Sequence, residues 1–477
     1  MMFKTIFTNI LHQSLQVIHL GDSYASIHSI RVIRDFTSTQ ISLDSAFCII
    51  CGNTEECEIT FGHFTIYGTE CIDLAQRTSQ NAQCTKLQVI SDKRFREVTA
   101  MGTYTFVPVF CKIVIPAQGA EGADGEVFKI GGIGPITGAA GAYGEAVKNG
   151  TELAINEINE AGGINGYQVA FNFQDDENDP EKAINAYNTL KDWNMQMLLG
   201  TVTSKPCIAV VAETTADNLF QLTPSGSAVE SISGDNAFRV CYSDPDQGRA
   251  SAQYIGEHKL ATKIAIIYDS SSEYSDGIRE SFVAEAPNQG LEVVASEAFT
   301  SDNNTDFSVQ LDKAKESGAD LVFLPIYYQE ASVILKQAND KDFHPQFFGC
   351  DGMDGILSVD GFDKSLAEGL MLLTPFSVDE ESSQDFVTAY RDAYGIDPLQ
   401  FAADAYDGVY AIKAAAEKAE ITPDMSTSDI CDALKTAMTE IQIDGLTGTE
   451  MHWTAEGEPQ KAPKAVEIKD GKYEMMQ

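Results

Sequence analysis

Basic residues are scarce in this sequence. Its 477 residues include 32 Lys and Arg against 71 Asp and Glu, which gives a formal net charge of -39 at pH 7. Residues 1–125 hold 9 basic and 12 acidic residues, so the other 23 basic and 59 acidic residues leave a charge of -36 on residues 126–477. Proteins that bind nucleic acid or anionic membranes need clustered Lys and Arg. The composition therefore predicts no nucleic-acid partner.

The sequence also lacks the usual signatures of an enzyme. After residue 125 it has three histidines, His258, His344 and His452, which are too few and too scattered for a metal centre or a catalytic triad. The glycine pattern that begins at Gly132 is a degenerate dinucleotide fingerprint, because its third glycine is missing. There is no phosphate loop and no Gly-x-Ser-x-Gly elbow. We therefore expect no catalytic residue, no cofactor and no enzymatic activity.

Long hydrophobic runs are missing as well. No apolar run approaches the roughly 18 residues that a membrane-spanning helix needs. Polar side chains interrupt residues 1–20, so this segment does not have the apolar core of a signal peptide. Cys111 follows the bulky Phe110, whereas a lipoprotein cleavage site has a small residue before its cysteine. The sequence thus contains no convincing export signal or lipid anchor.

Residues 1–125 hold six of the ten cysteines but show little hydrophobic periodicity. A zinc knuckle there would have to use Cys48, Cys51, Cys57, His63 and Cys71. A structural zinc site usually takes two spaced ligand pairs, and the second pair is missing. We expect an N-terminal extension without a recognisable fold. Two alternatives stay open, a disordered segment and upstream sequence translated from a start codon placed too early.

The rest of the chain alternates between strand and helix patterns. Residues 127–133 form a short apolar run bounded by glycines, as expected of a parallel strand buried on both faces. A helix is predicted over about 144–161, and Asn165-Gly166 is a turn dipeptide before the next strand. Asp179-Pro180-Glu181 is a strong helix start, with an acceptor at the cap and proline at the first position. These patterns predict an α/β fold.

Two such series follow each other, one over about 127–242 and one over about 263–374. Long helices are predicted near 382–394, 399–419 and 428–440, before a short β tail. Two similar α/β lobes imply a cleft between them. Small and hydroxylic residues follow several strands, and open parallel sheets bind ligands at the carboxyl ends of their strands. The pattern therefore predicts a small-molecule site in the cleft.

These residues resemble the periplasmic or lipoprotein solute-binding proteins of branched-chain amino acid ABC transporters, the leucine/isoleucine/valine-binding type. The resemblance covers about residues 126–477. The segments that carry it are 134–144, INEINEAGGING at 155–166, DDENDP at 175–180, 200–204, 224–227, Phe238-Arg239, 264–269 with Tyr274, and 348–352.

The resemblance implies a type I periplasmic binding protein with two Rossmann-like lobes joined by three hinge crossovers. Lobe 1 would comprise residues 126–244 and 376–442, and lobe 2 residues 245–375 and 443–477. The lobes would close over the ligand by a hinge motion. The protein would be an extracytoplasmic monomer that captures an aliphatic, branched-chain amino acid and delivers it to the permease subunits. The alternative is a ligand-sensing receptor module for amides or other small amino-acid-like solutes.

The resemblance also implies which polar groups hold the ligand. Ser204 would offer its hydroxyl to the α-carboxylate at a helix start, where unpaired N–H groups favour an anion. Ser225, Gly226 and Ser227 would meet the carboxylate and the ammonium. Asp351 would pair with the ammonium, although the family usually has glutamate there. Without the resemblance, these residues are equally well explained as helix caps and tight turns.

Tyr143, Tyr274 and Tyr327 match aromatic positions that line the cleft, and the adjacent Tyr328 is an alternative to Tyr327. Aromatic walls desolvate an apolar side chain. Tyrosines at strand ends otherwise commonly serve only in packing.

Two further groups of residues invite an interpretation. Asp175, Asp176 and Asp179 lack the spacing of a calcium loop, so capping and turn formation are favoured over a metal site. In an exported protein, Cys207 and Cys241 are a candidate disulfide.

Overall fold

The computed structural model describes residues 58–60, 110–112 and 127–476. The chain divides into two compact units, Met1–Gln118 and Gly119–Gln477. In the first unit, β1 (Glu58–Thr60) pairs antiparallel with β2 (Phe110–Lys112). The predictions about a signal peptide, a zinc knuckle and the folding of residues 1–125 otherwise lie outside the described residues. The second unit contains the two lobes.

The first lobe is built on a five-stranded sheet in which all strands are parallel. Its strands are β3 (Phe128–Gly134), β4 (Val169–Asp175), β5 (Met197–Gly200), β6 (Phe220–Thr223) and β7 (Ala237–Arg239), in the order β4-β3-β5-β6-β7. The connecting helices are α1 (Gly141–Glu160), α2 (Pro180–Asp192) and α3 (Ser204–Asp217). Strand β5 is buried over its whole length, as expected of a parallel strand covered on both faces.

The second lobe is built on a seven-stranded mixed sheet. Helices α4 (Asp244–Glu257), α5 (Glu273–Glu285), α6 (Ser308–Glu316) and α7 (Tyr328–Asp340) alternate with its first strands. Five strands are parallel: β8 (Lys263–Asp269), β9 (Glu292–Phe299), β10 (Leu321–Leu324), β11 (Gln346–Gly349) and β12 (Met371–Thr374). A small hairpin, β13 (His452–Trp453) and β14 (Pro459–Gln460), precedes the antiparallel strands β15 (Lys464–Lys469) and β16 (Lys472–Met475). The sheet order is β16-β15-β12-β11-β10-β8-β9.

Three further helices follow β12, namely α8 (Gln384–Tyr394), α9 (Gln400–Lys418) and α10 (Thr427–Met438). Helix α9 packs closely against α1, because Gly150 leaves room for its backbone. A Cβ at Gly150 would lie 2.1 Å from the carbonyl oxygen of Ala402. No helix in the described part of the chain is long and apolar enough to cross a membrane.

Local sequence signals account for most helix starts. The Asp179 side chain accepts hydrogen bonds from the N–H groups of Glu181 and Lys182, ahead of Pro180 at the first position of α2. Ser243 caps α4 in the same way, by accepting from the N–H of Asp246. The predicted α/β class, with two parallel-sheet lobes, is confirmed.

The chain passes between the two sheets near residues 240–243, 375–383 and 461–463. The hairpin β13–β14 contacts the first lobe, since the Trp453 indole N–H donates to the carbonyl oxygen of Arg239 at 2.7 Å. The N–H of Arg239 donates to the carbonyl oxygen of Gly457 at 3.0 Å. These contacts favour placing residues 443–460 with lobe 1, whereas the sequence-based division places them with lobe 2. The other lobe bounds stay predictions.

Candidate functional site

A cavity lies between the lobes, at the carboxyl ends of the parallel strands; with the solvent at its open side it has about 210 Å³ of unfilled space. This is where open α/β sheets bind ligands. Lobe 1 contributes residues that follow β5 and β6, and lobe 2 contributes residues that follow β8, β10 and β11. The lining residues are Tyr143, Val202, Thr203, Ser225, Tyr274, Tyr327, Asp351, Gly352 and Phe401.

A second cavity, of about 280 Å³, lies beside the crossover that follows β12. Asp354, Thr374 and Tyr473 are among its lining residues. The Asp354 carboxylate already accepts from the N–H of Gln400 at 2.7 Å, and the Thr374 hydroxyl is bonded to the Gln400 side chain at 2.7 Å. These polar groups are therefore engaged within the protein.

Five of the eight predicted binding residues line the first cavity, and they are Tyr143, Ser225, Tyr274, Tyr327 and Asp351. The other three, Ser204, Gly226 and Ser227, lie directly beside them. The hydroxyl oxygens of Ser204 and Ser227 are 3.5 Å apart, and Ser204 also accepts from the N–H of Ala228 at 3.1 Å. The fold thus brings the eight positions together, while the role of each stays a prediction.

The start of α3 forms the lobe 1 side of the cavity. Ser204 is the first residue of this helix, and Thr203 before it lines the cavity. The first N–H groups of a helix have no partner within the helix, and the helix dipole adds positive potential there. The arrangement suits an anionic group such as a carboxylate.

Two of the predicted loop contacts are partly used within the protein. The Ser225 hydroxyl donates to the carbonyl oxygen of Val202 at 2.6 Å, and the Gly226 N–H donates to the Thr223 hydroxyl at 2.7 Å. A Cβ on Gly226 would lie 2.8 Å from that hydroxyl, so glycine is needed for the turn itself. Ser225 nevertheless lines the cavity, whereas Ser227 lies beside it.

Asp351 is the centre of a hydrogen-bond network on the lobe 2 side. Its carboxylate accepts from the Tyr274 hydroxyl at 2.7 Å, from Gln247 Nε2 at 3.0 Å and from the Gly352 N–H at 2.6 Å. Burial raises its pKa to about 6, and these hydrogen bonds partly offset that effect. The carboxylate is therefore held in one orientation and is ionised at neutral pH.

Tyr143 joins the two lobes. Its hydroxyl donates to the carbonyl oxygen of Gly352 and accepts from the N–H of Tyr328 at 3.3 Å. Its ring contacts Tyr327 edge-on, with centroids 5.3 Å apart, and Phe401, with centroids 4.4 Å apart. These aromatic rings form an apolar wall in which the Tyr143 hydroxyl is engaged within the protein.

The structure shows which of the two adjacent tyrosines, Tyr327 or Tyr328, lines the cavity. Tyr327 lines the cavity. The hydroxyl of Tyr328 accepts from the N–H of Ala142 at 3.4 Å, and its ring packs on Tyr143. Tyr327 is thus the one of the pair that a ligand would meet.

Asp244 is a residue that sequence reasoning missed. It is 1% exposed, and neither carboxylate oxygen has a hydrogen-bond partner in the described part of the chain. Burial raises its pKa well above the usual value, the negative charge of Asp351 adds to this, and the neighbouring Ser227 and Arg239 oppose it. In the sequence, Ser243-Asp244-Pro245 resembles an ordinary helix start, so no local signal sets Asp244 apart. Its electrostatic interaction with Asp351 comes from tertiary structure alone.

The aspartates at the end of β4 and just after it accept hydrogen bonds in turns, which is the role that their spacing in the sequence favoured over a metal site. The Asp175 carboxylate accepts from the N–H groups of Ile136 and Glu177 and from the Thr137 hydroxyl. No group of three or more His, Cys, Asp or Glu side chains in residues 127–476, 58–60 or 110–112 is arranged to hold a metal ion.

The candidate disulfide between Cys207 and Cys241 is not formed in the structure. Both cysteines are free and buried. The Cys207 sulfur is engaged elsewhere, because it contacts Gln221 Nε2 at 3.4 Å and the carbonyl oxygen of Ser231 at 3.6 Å. The sequence predicted that both cysteines lie in lobe 1, but the distance between their sulfur atoms cannot be predicted from the sequence.

Buried carboxyl groups make the stability of the ligand-free protein depend on pH. Burial raises the pKa of Asp351 and Asp354 to about 6, and that of Asp176 and Asp404 to about 7. Because these folded-state values exceed the unfolded value of 3.8, the folded chain binds the protons more tightly. The stabilisation is complete below about pH 4 and is lost as the pH rises through about 7.

We therefore expect the ligand-free protein to unfold at a higher temperature at pH 5 than at pH 8. Differential scanning calorimetry at constant ionic strength measures this. Exposed carboxyls with a lowered pKa, such as those of Asp306 and Asp363, titrate below this window and do not reverse the sign. An unfolding temperature that rises from pH 5 to pH 8 would contradict the expectation.

Known proteins with the same organisation identify the family. Residues 127–472 match the periplasmic binding protein family. The Leu/Ile/Val-binding protein homolog 3 of Brucella melitensis is 28% identical over 300 residues, which are 62% of this chain and 80% of that protein. The Leu/Ile/Val-binding protein homolog 1 of Brucella abortus is 26% identical over 379 residues, which are 77% of this chain and 99% of that protein.

Solved structures share the fold. The branched-chain amino acid transporter substrate binding protein LivJ of Streptococcus pneumoniae, in complex with isoleucine, is 28% identical, with a TM-score of 0.67 over 73% of this chain and 99% of that chain. An ABC transporter solute binding protein of R. palustris, in complex with benzoate, is 20% identical, with a TM-score of 0.65 over 73% of this chain and 95% of that chain. At that identity the likeness concerns the fold alone. With a two-lobed fold and a family match over residues 127–472, this chain belongs to the periplasmic binding protein family.

Proposed function

We propose that this chain is the extracytoplasmic solute-binding component of an ABC transporter. It captures an aliphatic, branched-chain amino acid in the cleft, closes over it and delivers it to the membrane permease, without chemistry of its own. The observation that carries the proposal is the inter-lobe cavity, which combines a helix start, the buried Asp351 carboxylate and an aromatic wall. The names of the related proteins, which refer to leucine, isoleucine and valine, support the choice of ligand.

The ligand carboxylate is held on the lobe 1 side. There, α3 directs its first N–H groups toward the cavity, and the hydroxyls of Ser204 and Ser227 lie 3.5 Å apart. Hydrogen bonds to an ionised group are shorter and stronger than neutral ones. This end of the cleft therefore selects an anion.

The ligand ammonium lies between the two buried carboxylates. An α-ammonium has three N–H donors; Asp351 lines the cavity, and Asp244 and Ser227, which interact with each other nearby, are the further acceptors in this proposal. A buried carboxylate without a partner is costly, and the ammonium relieves that cost. The pair of carboxylates therefore favours a ligand with a positive charge next to its carboxylate.

The ligand side chain packs on the aromatic wall of Tyr143, Tyr274, Tyr327 and Phe401. The hydroxyls of Tyr143 and Tyr274 already bond to Gly352 and to Asp351. What remains facing the side chain is mostly ring surface, which favours an aliphatic group over a polar one.

The proposal includes a monomeric protein that acts outside the cytoplasm. The family takes its name from binding proteins of the periplasm. The two-lobed closure that buries the ligand also presents the permease with a different surface in the closed state than in the open one. A ligand-sensing module for amides would use the same cleft, and the binding experiment separates the two functions.

We expect leucine, isoleucine or valine to bind saturably when the full chain is unfolded, refolded free of ligand and titrated in a calorimeter. A micromolar dissociation constant requires about -8 kcal/mol, which a paired zwitterion in a closed cleft can supply. The same titration with isobutyramide and benzoate provides the comparison. If none of the three amino acids binds and isobutyramide does, the sensing function is favoured over the transport function.

A further inference from the structure

Arg239 is fully buried at the end of β7, yet it does not line the ligand cavity. Its guanidinium donates to three carbonyl oxygens of the loop that follows β6. Nη1 donates to Gly226 at 3.2 Å and to Ser227, and Nη2 donates to Val229 at 3.4 Å. A single side chain thus holds the backbone of the whole segment 226–229, which we call the carboxylate loop.

These contacts determine where the N–H groups of the loop point. In a planar trans peptide, the C=O and the N–H point in opposite directions. Since the carbonyls of Gly226 and Ser227 face Arg239, the N–H groups of Ser227 and Ala228 face away from it. The N–H of Ala228 indeed donates to the Ser204 hydroxyl at 3.1 Å. The Ser204 hydroxyl thus accepts from the loop, and its own proton remains available to the Ser227 oxygen 3.5 Å away or to a ligand.

The guanidinium is itself held from the hinge side. Its Nε forms an ion pair with Glu458 Oε2 at 3.1 Å that does not have the geometry of a hydrogen bond, and the Glu458 side chain is 31% exposed. Glu458 lies in the β13–β14 hairpin, which also contacts the backbone of Arg239 through Trp453 and Gly457. The carboxylate loop is therefore connected to the third crossover through one buried arginine.

We propose that Arg239 is a positioning residue that orients the carboxylate loop for the ligand carboxylate, with Glu458 holding its guanidinium in place. The proposal rests on the proposed function, because it assigns the loop to an amino-acid carboxylate. Lysine cannot replace the arginine fully, since an ammonium is a point charge and lacks the planar fork that reaches several acceptors at once.

The test compares leucine with leucinamide, which keeps the ammonium and the side chain but loses the carboxylate charge. In the ligand-stripped full chain, Arg239→Lys is expected to weaken leucine binding about tenfold or more, the loss expected for hydrogen bonds to a charged group. Leucinamide, measured by competition, should lose less than about threefold. Glu458→Gln should also lower the affinity for leucine relative to that for leucinamide, but by a smaller factor than Arg239→Lys.

Arg249→Lys is the matched control. Arg249 is a half-exposed arginine that pairs with Asp246 on α4 at 2.8 Å, outside the cavity. It should leave both affinities unchanged. Near-ultraviolet circular dichroism and the unfolding temperature of each ligand-free variant report whether it is folded.

Each result bears on one of the two claims. A folded Arg239→Lys variant that keeps the wild-type leucine affinity, or that loses leucine and leucinamide equally, overturns the positioning role. If Arg239→Lys does not fold, the Glu458→Gln variant decides. An unchanged ratio of leucine affinity to leucinamide affinity in that variant overturns the positioning role. If the wild-type chain binds neither leucine nor leucinamide, the proposed function is overturned. The first titration of the wild-type chain gives this result before any variant is made.

Discussion

Replacing Asp351 with alanine is expected to weaken binding of branched-chain amino acids at least a hundredfold while the ligand-free protein stays folded. The truncation removes a fully buried charge opposite the ligand ammonium, and loss of one partner in a buried, hydrogen-bonded charge pair costs about 2–5 kcal/mol. Each 1.4 kcal/mol is about a factor of ten in affinity. The donors Tyr274 and Gln247 would lose an acceptor, which lowers stability, but the repulsion between Asp351 and Asp244 disappears at the same time.

Calorimetric titration of the ligand-stripped variant measures the loss. Asp354→Asn is the matched control, because Asp354 is also buried in lobe 2 and its pKa is likewise raised to about 6. Its carboxylate accepts from the N–H of Gln400 at the start of α9 and does not line the ligand cavity. Affinity should stay near the wild-type value in this control. A folded Asp351→Ala protein that binds leucine normally would overturn the assignment of the ammonium site.

Replacing Asp244 with asparagine is expected to change stability and binding in opposite directions. The ligand-free protein should unfold at a higher temperature, because the variant removes a buried carboxyl group whose two oxygens have no hydrogen-bond partner and whose ionised form is disfavoured by burial. An unpaired buried charge costs several kcal/mol, and about 1 kcal/mol corresponds to roughly 2–4 °C in a domain of this size class. Leucine binding should weaken at least about tenfold, because the ammonium loses one of two carboxylates.

The pH gives a second check on the same variant. Burial raises the pKa of Asp244 well above its usual value, so the folded wild-type chain holds this proton more tightly than the unfolded chain and loses that stabilisation as the pH rises. The gain in unfolding temperature should therefore be larger at pH 8 than at pH 5. Asp246→Asn, two residues later on α4, changes a half-exposed carboxylate paired with Arg249 and should give no gain. An Asp244→Asn protein that is less stable and binds leucine normally would exclude this role.

Local patterns in the sequence predicted the elements well because short-range physics decides them. The acceptor, proline and acid at residues 179–181 predicted the start of α2, and the Asp179 side chain caps it as expected. The apolar run at 127–133 predicted β3, which is buried because parallel strands are covered on both faces. The alternation of such units was enough for the α/β class and for a cleft at the carboxyl ends of the strands.

The site residues were predicted from the family resemblance, since hydrophobic periodicity alone does not indicate which residues bind a ligand. Ser204, Ser227 and Asp351 belong to three separate strand-to-helix connections, and each alone has the pattern of a cap or a turn. The fold brings Asp351 to the cavity and Ser204 and Ser227 next to it, because the carboxyl ends of parallel strands meet at one edge of each sheet. Their contacts within the protein, such as the bond from the Ser225 hydroxyl to Val202, are not visible in the sequence.

By itself, the sequence determined where helices and strands lie, the two-lobed α/β fold and a surplus of negative charge, because these depend on neighbouring residues and on composition. Tertiary structure alone decided that the carboxylate oxygens of Asp244 are buried without a hydrogen-bond partner, that Tyr327 rather than Tyr328 lines the cavity, and that Cys207 and Cys241 remain free thiols. It also placed Arg239 behind the carboxylate loop. Each of these depends on distances between residues far apart in the chain, which packing sets and no local pattern records.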